Sequence, residues 1–149
     1  MKETATFAAG CFWHVQETFD NVSGVVSSRV GYSGGEGEGD YEGSEGRGHA
    51  EAVEVVFDSR LVSYDKLLKI FWEGHDPTSL NRQGLDFGKR YRSAIFYHCL
   101  KQKKAALESL RVAQKEFKGA IVTEIVPASR FCEAEEEHQK YYEKHGKVC

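Results

Sequence analysis

Apolar and polar positions along the chain change their period several times, and each change predicts an element. From Glu3 to Ala8 the side chains alternate, with Ala5 and Phe7 on one face, which is the two-residue period of a strand. Phe12 to Asn21 switches to helical spacing, and Gly24 lies just beyond it. Val25 to Tyr32, rich in β-branched residues, predicts a second strand, and Ala50 to Phe57 a third with the clearest alternation. Ser63 stands as the N-cap of a helix that carries Leu67, Leu68, Phe71 and Trp72 at helical spacing. Ser93 to Cys99 predicts a fourth strand. Lys101 to Phe117 predicts a helix with Ala105, Leu107, Leu110 and Val112 on or near one stripe, and Gly119 is placed to end it. Ile121 to Val126 predicts a fifth strand, and Glu133 to His145 a charged terminal helix. Strands and helices mix without the strict alternation of a doubly wound sheet, so the pattern predicts an α+β fold.

Composition narrows the class. A length of 149 residues fits one domain with a single core, and no repeat, Pro-rich linker or composition break divides it. The apolar share of 40% and charged share of 29% describe a soluble globular chain rather than a disordered one. A net charge of -3 argues against nucleic acid as a partner, because phosphate binding needs clustered Lys and Arg. No apolar run approaches the roughly 20 residues that span a bilayer, so no membrane partner is expected. The start, Met1 to Trp13, lacks the basic and long apolar parts of a secretion signal. A cytoplasmic location follows as the expectation, where thiols stay reduced. From Gly31 to Gly48 the chain holds eight of its fifteen glycines among mostly acidic charges, which excludes helix and inner strand. Two readings fit that stretch: a mobile surface loop, or a loop that folds around a ligand.

Two residues stand out chemically. Cys11, in Gly10-Cys11-Phe12-Trp13, lies where a strand is expected to turn into a helix. The free N–H groups of a helix's first turn carry partial positive charge, which favours a thiolate there and makes it a nucleophile. Cys99, within the predicted apolar strand, reads instead as an inert core thiol. Alternation puts Glu51 on one face with Val53, Val55 and Phe57. Either Glu51 is hydrated at the strand's edge, as Glu54 is expected to be on the opposite face, or it is desolvated. In the second case its pKa rises and it can serve as a general acid. A nucleophilic thiol and a protonated acid beside an aromatic wall point to reduction of an oxidised apolar substrate.

Ordered blocks along the chain carry a family resemblance. Gly10-Cys11-Phe12-Trp13, Gly31-Tyr32 with Gly34-Gly35, and Gly48-His49-Ala50-Glu51-Ala52-Val53 are similar to the A class of methionine sulfoxide reductases. So are Phe71-Trp72-Glu73 with His75-Asp76-Pro77, Arg82-Gln83-Gly84 with Asp86, Tyr91-Arg92-Ser93, and Ala134-Glu135 with His138-Gln139. The blocks run from Ala8 to about Tyr142. The resemblance implies a two-layer α+β sandwich with a ferredoxin-like βαββ core, its mixed sheet flanked by helices. It further implies one domain over 1–149, with a flexible tail from about 143.

The implied activity is reduction of the S epimer of methionine sulfoxide, free or in proteins. Cys11 would attack the sulfur, and Glu51 would protonate the oxygen. Tyr41 and Tyr91 would hydrogen-bond that oxygen, with Tyr32 as the alternative to Tyr41, and Asp86 would organise the pocket. Phe12 and Trp13 would cradle the substrate methyl group. Cys11 would be left as a sulfenic acid, and a second thiol would condense with it to a disulfide that thioredoxin reopens. Cys149, the last residue, is the first candidate for that resolving thiol and Cys132 the second. No metal, flavin or nicotinamide is implied, and the expected state is a monomer.

The chain departs from the family pattern at His14, in place of glycine, and at Gln16, where glutamate is common; Gln16 is expected to face solvent. Two rival functions fit the residues less well. A zinc site lacks closely spaced cysteines, and His138 and His145 are expected only to share the solvated face of the terminal helix. A non-enzymatic redox sensor would oxidise once at Cys11 without turnover.

Overall fold

The computed structural model describes residues 1–35 and 48–146. In chain order the elements are β1 (Lys2–Ala9), α1 (Phe12–Asp20), β2 (Val25–Ser33), β3 (Ala50–Asp58), α2 (Tyr64–Glu73), β4 (Arg82–Gln83) and β5 (Asp86–Phe87). After them come β6 (Ser93–Tyr97), α3 (Leu100–Ala113), β7 (Glu124–Pro127), β8 (Cys132–Glu133) and α4 (Tyr141–His145). Six strands form one mixed sheet in the order β7-β6-β1-β3-β2-β8, while β4 and β5 make a separate hairpin. β3 pairs antiparallel with both β1 and β2, so those two run parallel with β3 between them and α1 crossing over. This is the split βαβ unit of the ferredoxin-like plan. β6 joins β7 in a parallel pair, which makes the sheet mixed. The α+β architecture with a helix-flanked sheet is thus the one expected.

Alternation sorts the strand side chains onto two unequal faces. Ala5, Phe7, Val30, Val53, Val55, Phe57 and Ile95 face the helices, where Phe12, Phe19, Leu67, Leu68 and Phe71 complete the main core. The rings of Phe7 and Phe19 stack 4.9 Å apart across this interface. The other face is built from Ala8, Ala50, Ala52, Ala94 and Phe96 and is covered by Val126, Ala128 and Phe131. Ser63 caps α2 as its sequence position predicts, accepting from the Lys66 N–H at 3.0 Å.

Four expectations are corrected. The fourth strand stops at Tyr97, and Cys99 is an exposed residue at the start of α3 rather than a core thiol. The Gln102 carboxamide takes the His98 N–H at 2.9 Å and donates to the Thr4 carbonyl at 2.8 Å, which starts α3 early and sets its phase. That phase buries Gln102, Ala106 and Ala113 and leaves Leu107 and Val112 exposed, against the stripe read from spacing. The fifth strand begins at Glu124, because Ile121 and Val122 give their N–H groups to Gln114 Oε1 and the Pro77 carbonyl instead. The terminal helix over Glu133 to His145 does not form. β8, a 3-10 turn at Glu136–His138 and α4 replace it, with Lys140 at φ +54° as the break. His138 and His145 therefore share no helix face. Among the described residues no helix is long and apolar enough to cross a membrane.

Candidate active site

The site begins at the turn from β1 into α1. Gly10 takes φ +97°, a left-handed conformation that L side chains rarely adopt. A Cβ there would also lie 2.9 Å from Gln83 Cγ, so both backbone and space call for glycine. Cys11 follows as the N-cap residue of α1, with φ -58° and ψ 122°. Phe12 N–H donates to Glu51 Oε1 at 3.2 Å, while the N–H groups of Trp13 and His14 favour the Cys11 thiolate, that of His14 also donating to the Cys11 carbonyl at 3.2 Å.

The expected lowering of the Cys11 pKa is not the net outcome. Burial, then the charge of Glu51 and more weakly that of Asp86, push the thiol from 9.0 up to about 11, outweighing the helix N–H groups. A thiolate at Cys11 and a carboxylate at Glu51 oppose each other. The site therefore favours one negative charge shared by the pair.

Glu51 is desolvated, not hydrated at an edge. It is 2% exposed, on the helix face with Val53, Val55 and Phe57. Its Oε2 lies 3.8 Å from Arg90 Nη1, a guanidinium held at 11% exposure on the 3-10 turn Lys89–Tyr91. Glu54, on the opposite face, is only half-buried and pairs with Arg29 at 2.8 Å. Across the sheet Tyr32 stands directly opposite Glu51, and Cys132 directly opposite Tyr32. Directly paired residues share a face, so Glu51, Tyr32 and Cys132 form a row under α1.

A cavity of about 330 Å³ opens beside Cys11, lined by Trp13, His14, His75, Gln83, Asp86 and Tyr142 among others. Asp86 and Trp13 thus meet Cys11 there, and Tyr91 closes the same turn as Arg90. Phe12 faces inward, 1% exposed, with its ring 5.6 Å from that of Tyr32. Tyr41 and Cys149 lie outside the described residues. His75 is fixed between the Phe71 carbonyl and Ser93 Oγ, both at 2.7 Å, and burial lowers its pKa from 6.5 to about 4. Among the described residues no cluster of His, Cys, Asp and Glu could hold a metal ion.

Residues 134–146 return over α1. Trp13 stacks on Tyr141, centroids 3.7 Å apart and 8° from parallel, and its Nε1–H donates to His138 Nδ1 at 3.3 Å. Gln16 is buried at 1%, a correction to its expected solvent face. Its Oε1 accepts from Lys140 N–H at 2.7 Å and its Nε2 donates to Ser28 Oγ at 3.1 Å. Reasoning from sequence missed Gln16, His75, Gln83 and Arg90. Gln83 and His75 lay inside the quoted blocks, whereas nothing in the pattern marks a lone Gln or Arg as inward.

Cys11, the buried Glu51 and an aromatic wall meet at one end of α1, the arrangement expected of a thiol-dependent oxidoreductase. Residues 3–149 match the model of the family described as peptide methionine sulfoxide reductase. The peptide methionine sulfoxide reductase of Methanosarcina acetivorans is 57% identical over 149 residues, covering 97% of this chain and 79% of its own. That of Geobacter sulfurreducens is also 57% identical, covering 97% and 92%. The crystal structure of Mxr1 from Saccharomyces cerevisiae in reduced form superposes with a TM-score of 0.93 at 29% identity, covering 99% of this chain and 88% of that one. The same yeast protein in complex with Trx2 gives a TM-score of 0.70 at 23% identity, covering 99% and 86%, a likeness of fold alone. The chain belongs to the peptide methionine sulfoxide reductase family and is an oxidoreductase that reduces methionine sulfoxide.

Proposed function

We propose that this chain reduces the S epimer of methionine sulfoxide, free or in proteins, through a sulfenic acid on Cys11. The observation that carries the reading is the sharing of one helix N-terminus by the Cys11 sulfur and the buried Glu51 carboxylate. With the proton on Glu51, the carboxyl's repulsion of the thiolate disappears and the helix N–H groups stabilise the sulfur anion. Cys11 attacks the sulfoxide sulfur, and Glu51 protonates its oxygen. The oxygen passes to Cys11: a thiol and a sulfoxide become a sulfenic acid and a thioether, with atoms and electrons balanced. Tyr91 and Tyr41 donate hydrogen bonds to the oxygen, Asp86 orders the cavity, and Phe12 and Trp13 shape the space for the methyl group.

A second thiol then condenses with the sulfenic acid, releasing water and forming a disulfide that a thioredoxin reduces. Cys149 is the first candidate and Cys132 the second. The row from Glu51 through Tyr32 puts Cys132 on the sheet face under α1, which supports its candidacy. The protein acts in the cytoplasm as a monomer.

The test supplies the two sulfoxide epimers separately, with dithiothreitol as reductant. Steady consumption of the S form alone supports the reading, while equal use of both epimers, or a single oxidation of Cys11 without turnover, overturns it. Serine replacements at Cys149 and Cys132 then decide the resolving thiol. The one whose loss stops thioredoxin-dependent turnover, but not the first turnover, is the partner.

A further inference from the structure

The Cys11 cavity takes its walls from stretches distant in sequence: the turn into α1, the end of α2 with Gly74 and His75, and the β4–β5 hairpin with Gln83 and Asp86. Gln83 joins them. Its carboxamide clasps the Asp76 backbone in both directions, accepting the N–H at 3.0 Å and donating to the carbonyl at 2.7 Å. Its stem packs on Gly10, so closely that a Cβ there would lie 2.9 Å from Gln83 Cγ. Within the hairpin it stands directly opposite Asp86. Directly paired residues share a face, so Gln83 and Asp86 turn to the cavity together.

The two sides of the clasp depend on it unequally. The turn after α2 closes by itself. Asp76 Oδ1 accepts from the Thr78 N–H at 3.0 Å and from its hydroxyl at 2.6 Å, and the Pro77 carbonyl accepts the Val122 N–H at 2.8 Å. The hairpin has two residues in each strand, too few to stand alone in water. Its apolar side chains do not anchor it, since Leu85 is 91% exposed and Phe87 64%. The Arg82 guanidinium over the Phe87 ring and the Gly88 N–H on the Asn81 carbonyl tie the hairpin to itself. The clasp therefore fixes the hairpin to the turn.

We propose that Gln83 is a positioning residue for sulfoxide reduction, its carboxamide holding the hairpin so that Asp86 faces the Cys11 cavity. This rests on the reading of Asp86 given above. The Asp86 charge adds to the upward push on the Cys11 thiol, so the carboxylate is close enough for the sulfur to feel it. Asp76 is exposed, so water replaces the carboxamide at its N–H and carbonyl when the clasp is removed. What is lost is the placement of Asp86, not the fold.

Gln83→Met keeps the length of the side chain and its packing on Gly10 but gives up both bonds, whereas Gln83→Ala gives up bonds and packing. Both are assayed on N-acetylmethionine sulfoxide with dithiothreitol, beside Asp86→Asn and the double variant Gln83→Met with Asp86→Asn. For Gln83→Met, kcat/KM falls about tenfold, the worth of one good hydrogen bond, divided between KM and kcat as in Asp86→Asn. Gln83→Ala loses at least as much, and the urea midpoint of Gln83→Met stays at that of the unaltered protein. In the double variant the losses do not multiply, and kcat/KM stays within about twofold of Asp86→Asn alone. Full activity in Gln83→Met overturns the proposal and leaves Gln83 a packing role on Gly10. Losses that multiply also overturn it, since Gln83 then acts without Asp86, and so does a lowered urea midpoint, which makes the clasp part of the fold. If Asp86→Asn alone is unimpaired, the reading of Asp86 fails and takes the proposal with it.

Discussion

Two segments converge on α1, and they are built in opposite ways. Below it, Glu51 is delivered by β3, whose alternation buries Val53, Val55 and Phe57 on the same face. Above it, residues 134–146 have few apolar anchors and are tied down by single polar side chains. Gln139 Oε1 accepts the Val30 N–H, and its Nε2 donates to the Val30 and Ala134 carbonyls, so one carboxamide continues the ladder that β8 begins. Lys140 spans Asp20 Oδ2 at 2.7 Å and Ser28 Oγ at 3.1 Å. The first kind of construction spreads its energy over many contacts. The second concentrates it in a few bonds, each of which can be removed by one substitution.

Glu51→Gln tests the first segment and carries the largest expected effect. Removing the acid lowers kcat for sulfoxide reduction about 10²–10⁴-fold, the usual contribution of a positioned proton donor. Gln keeps an oxygen for the Phe12 N–H, so α1 stays anchored. It also removes the charge that pushes the Cys11 pKa upward, so iodoacetamide should alkylate Cys11 faster at neutral pH than in the unaltered protein. Slower alkylation together with lost activity would mean that the helix start had moved and that Glu51 is structural.

His75 sharpens the contrast, since it lines the cavity yet is held in the manner of the upper segment. Its folded pKa of about 4 lies below the ordinary 6.5, because burial disfavours the imidazolium. The stability tied to its neutral form is complete above pH 6.5 and is lost as pH falls toward 4, by at most about 3 kcal/mol. Urea midpoints measured across that interval should fall, and His75→Gln should flatten the slope. His98, also lowered by burial, leaves a smaller slope of the same sign. An unchanged slope in the variant would remove His75 from this role.

These two constructions explain what could be read in the sequence. β1, α1, β2 and β3 form within two residues of their expected bounds, because period 2 and period 3.6 report burial directly. The same alternation put Glu51 on the face of Val53, Val55 and Phe57 but left open whether it was hydrated or buried, and the Gly10 turn put Cys11 at the helix start. The C-terminal segment was misread as one helix, since its charged residues fit a solvated helical face. What overrides that local preference is tertiary: Gln139 bonds to β2, and Lys140 adopts φ +54° to deliver its N–H to Gln16. The thiol's net pKa was misjudged for a related reason. The helix terminus is visible in sequence, but the carboxylate pressed against it from β3 is a contact between distant residues. Gly119 was expected to end this helix, but α3 stops at Ala113 and a 3-10 turn over Gln114–Glu116 follows, and nothing in the spacing announced that Gln102 would fix the helix's phase.

Gln139→Leu attacks the upper segment directly. It leaves the Val30 N–H without its acceptor in a buried site, at a cost of about 1–3 kcal/mol. Urea unfolding should show that loss. Trp13 fluorescence should change with it, because the Tyr141 stack depends on the same stretch of chain. Loss of stability with an unchanged tryptophan signal would show that the segment is held by other contacts.

The smallest effect belongs to Gln16, and it separates the two constructions most finely, because the residue lies on α1 itself and bonds only to the upper segment and β2. Gln16→Leu matches the apolar surroundings of the helix's inner face and leaves the Val15 and Phe19 packing in place. It strips the acceptor from the Lys140 N–H and should cost about 1 kcal/mol. Gln16→Glu keeps that acceptor and places a carboxylate near the Lys140 ammonium, at the loss of the donor to Ser28 Oγ. Its stability should stay within about 0.5 kcal/mol of the original. If leucine is tolerated as well as glutamate, the burial of Gln16 reflects packing, and the upper segment is held without it. If both cost alike, the Ser28 bond matters more than the Lys140 bond, and β2 rather than the C-terminal chain is what Gln16 secures.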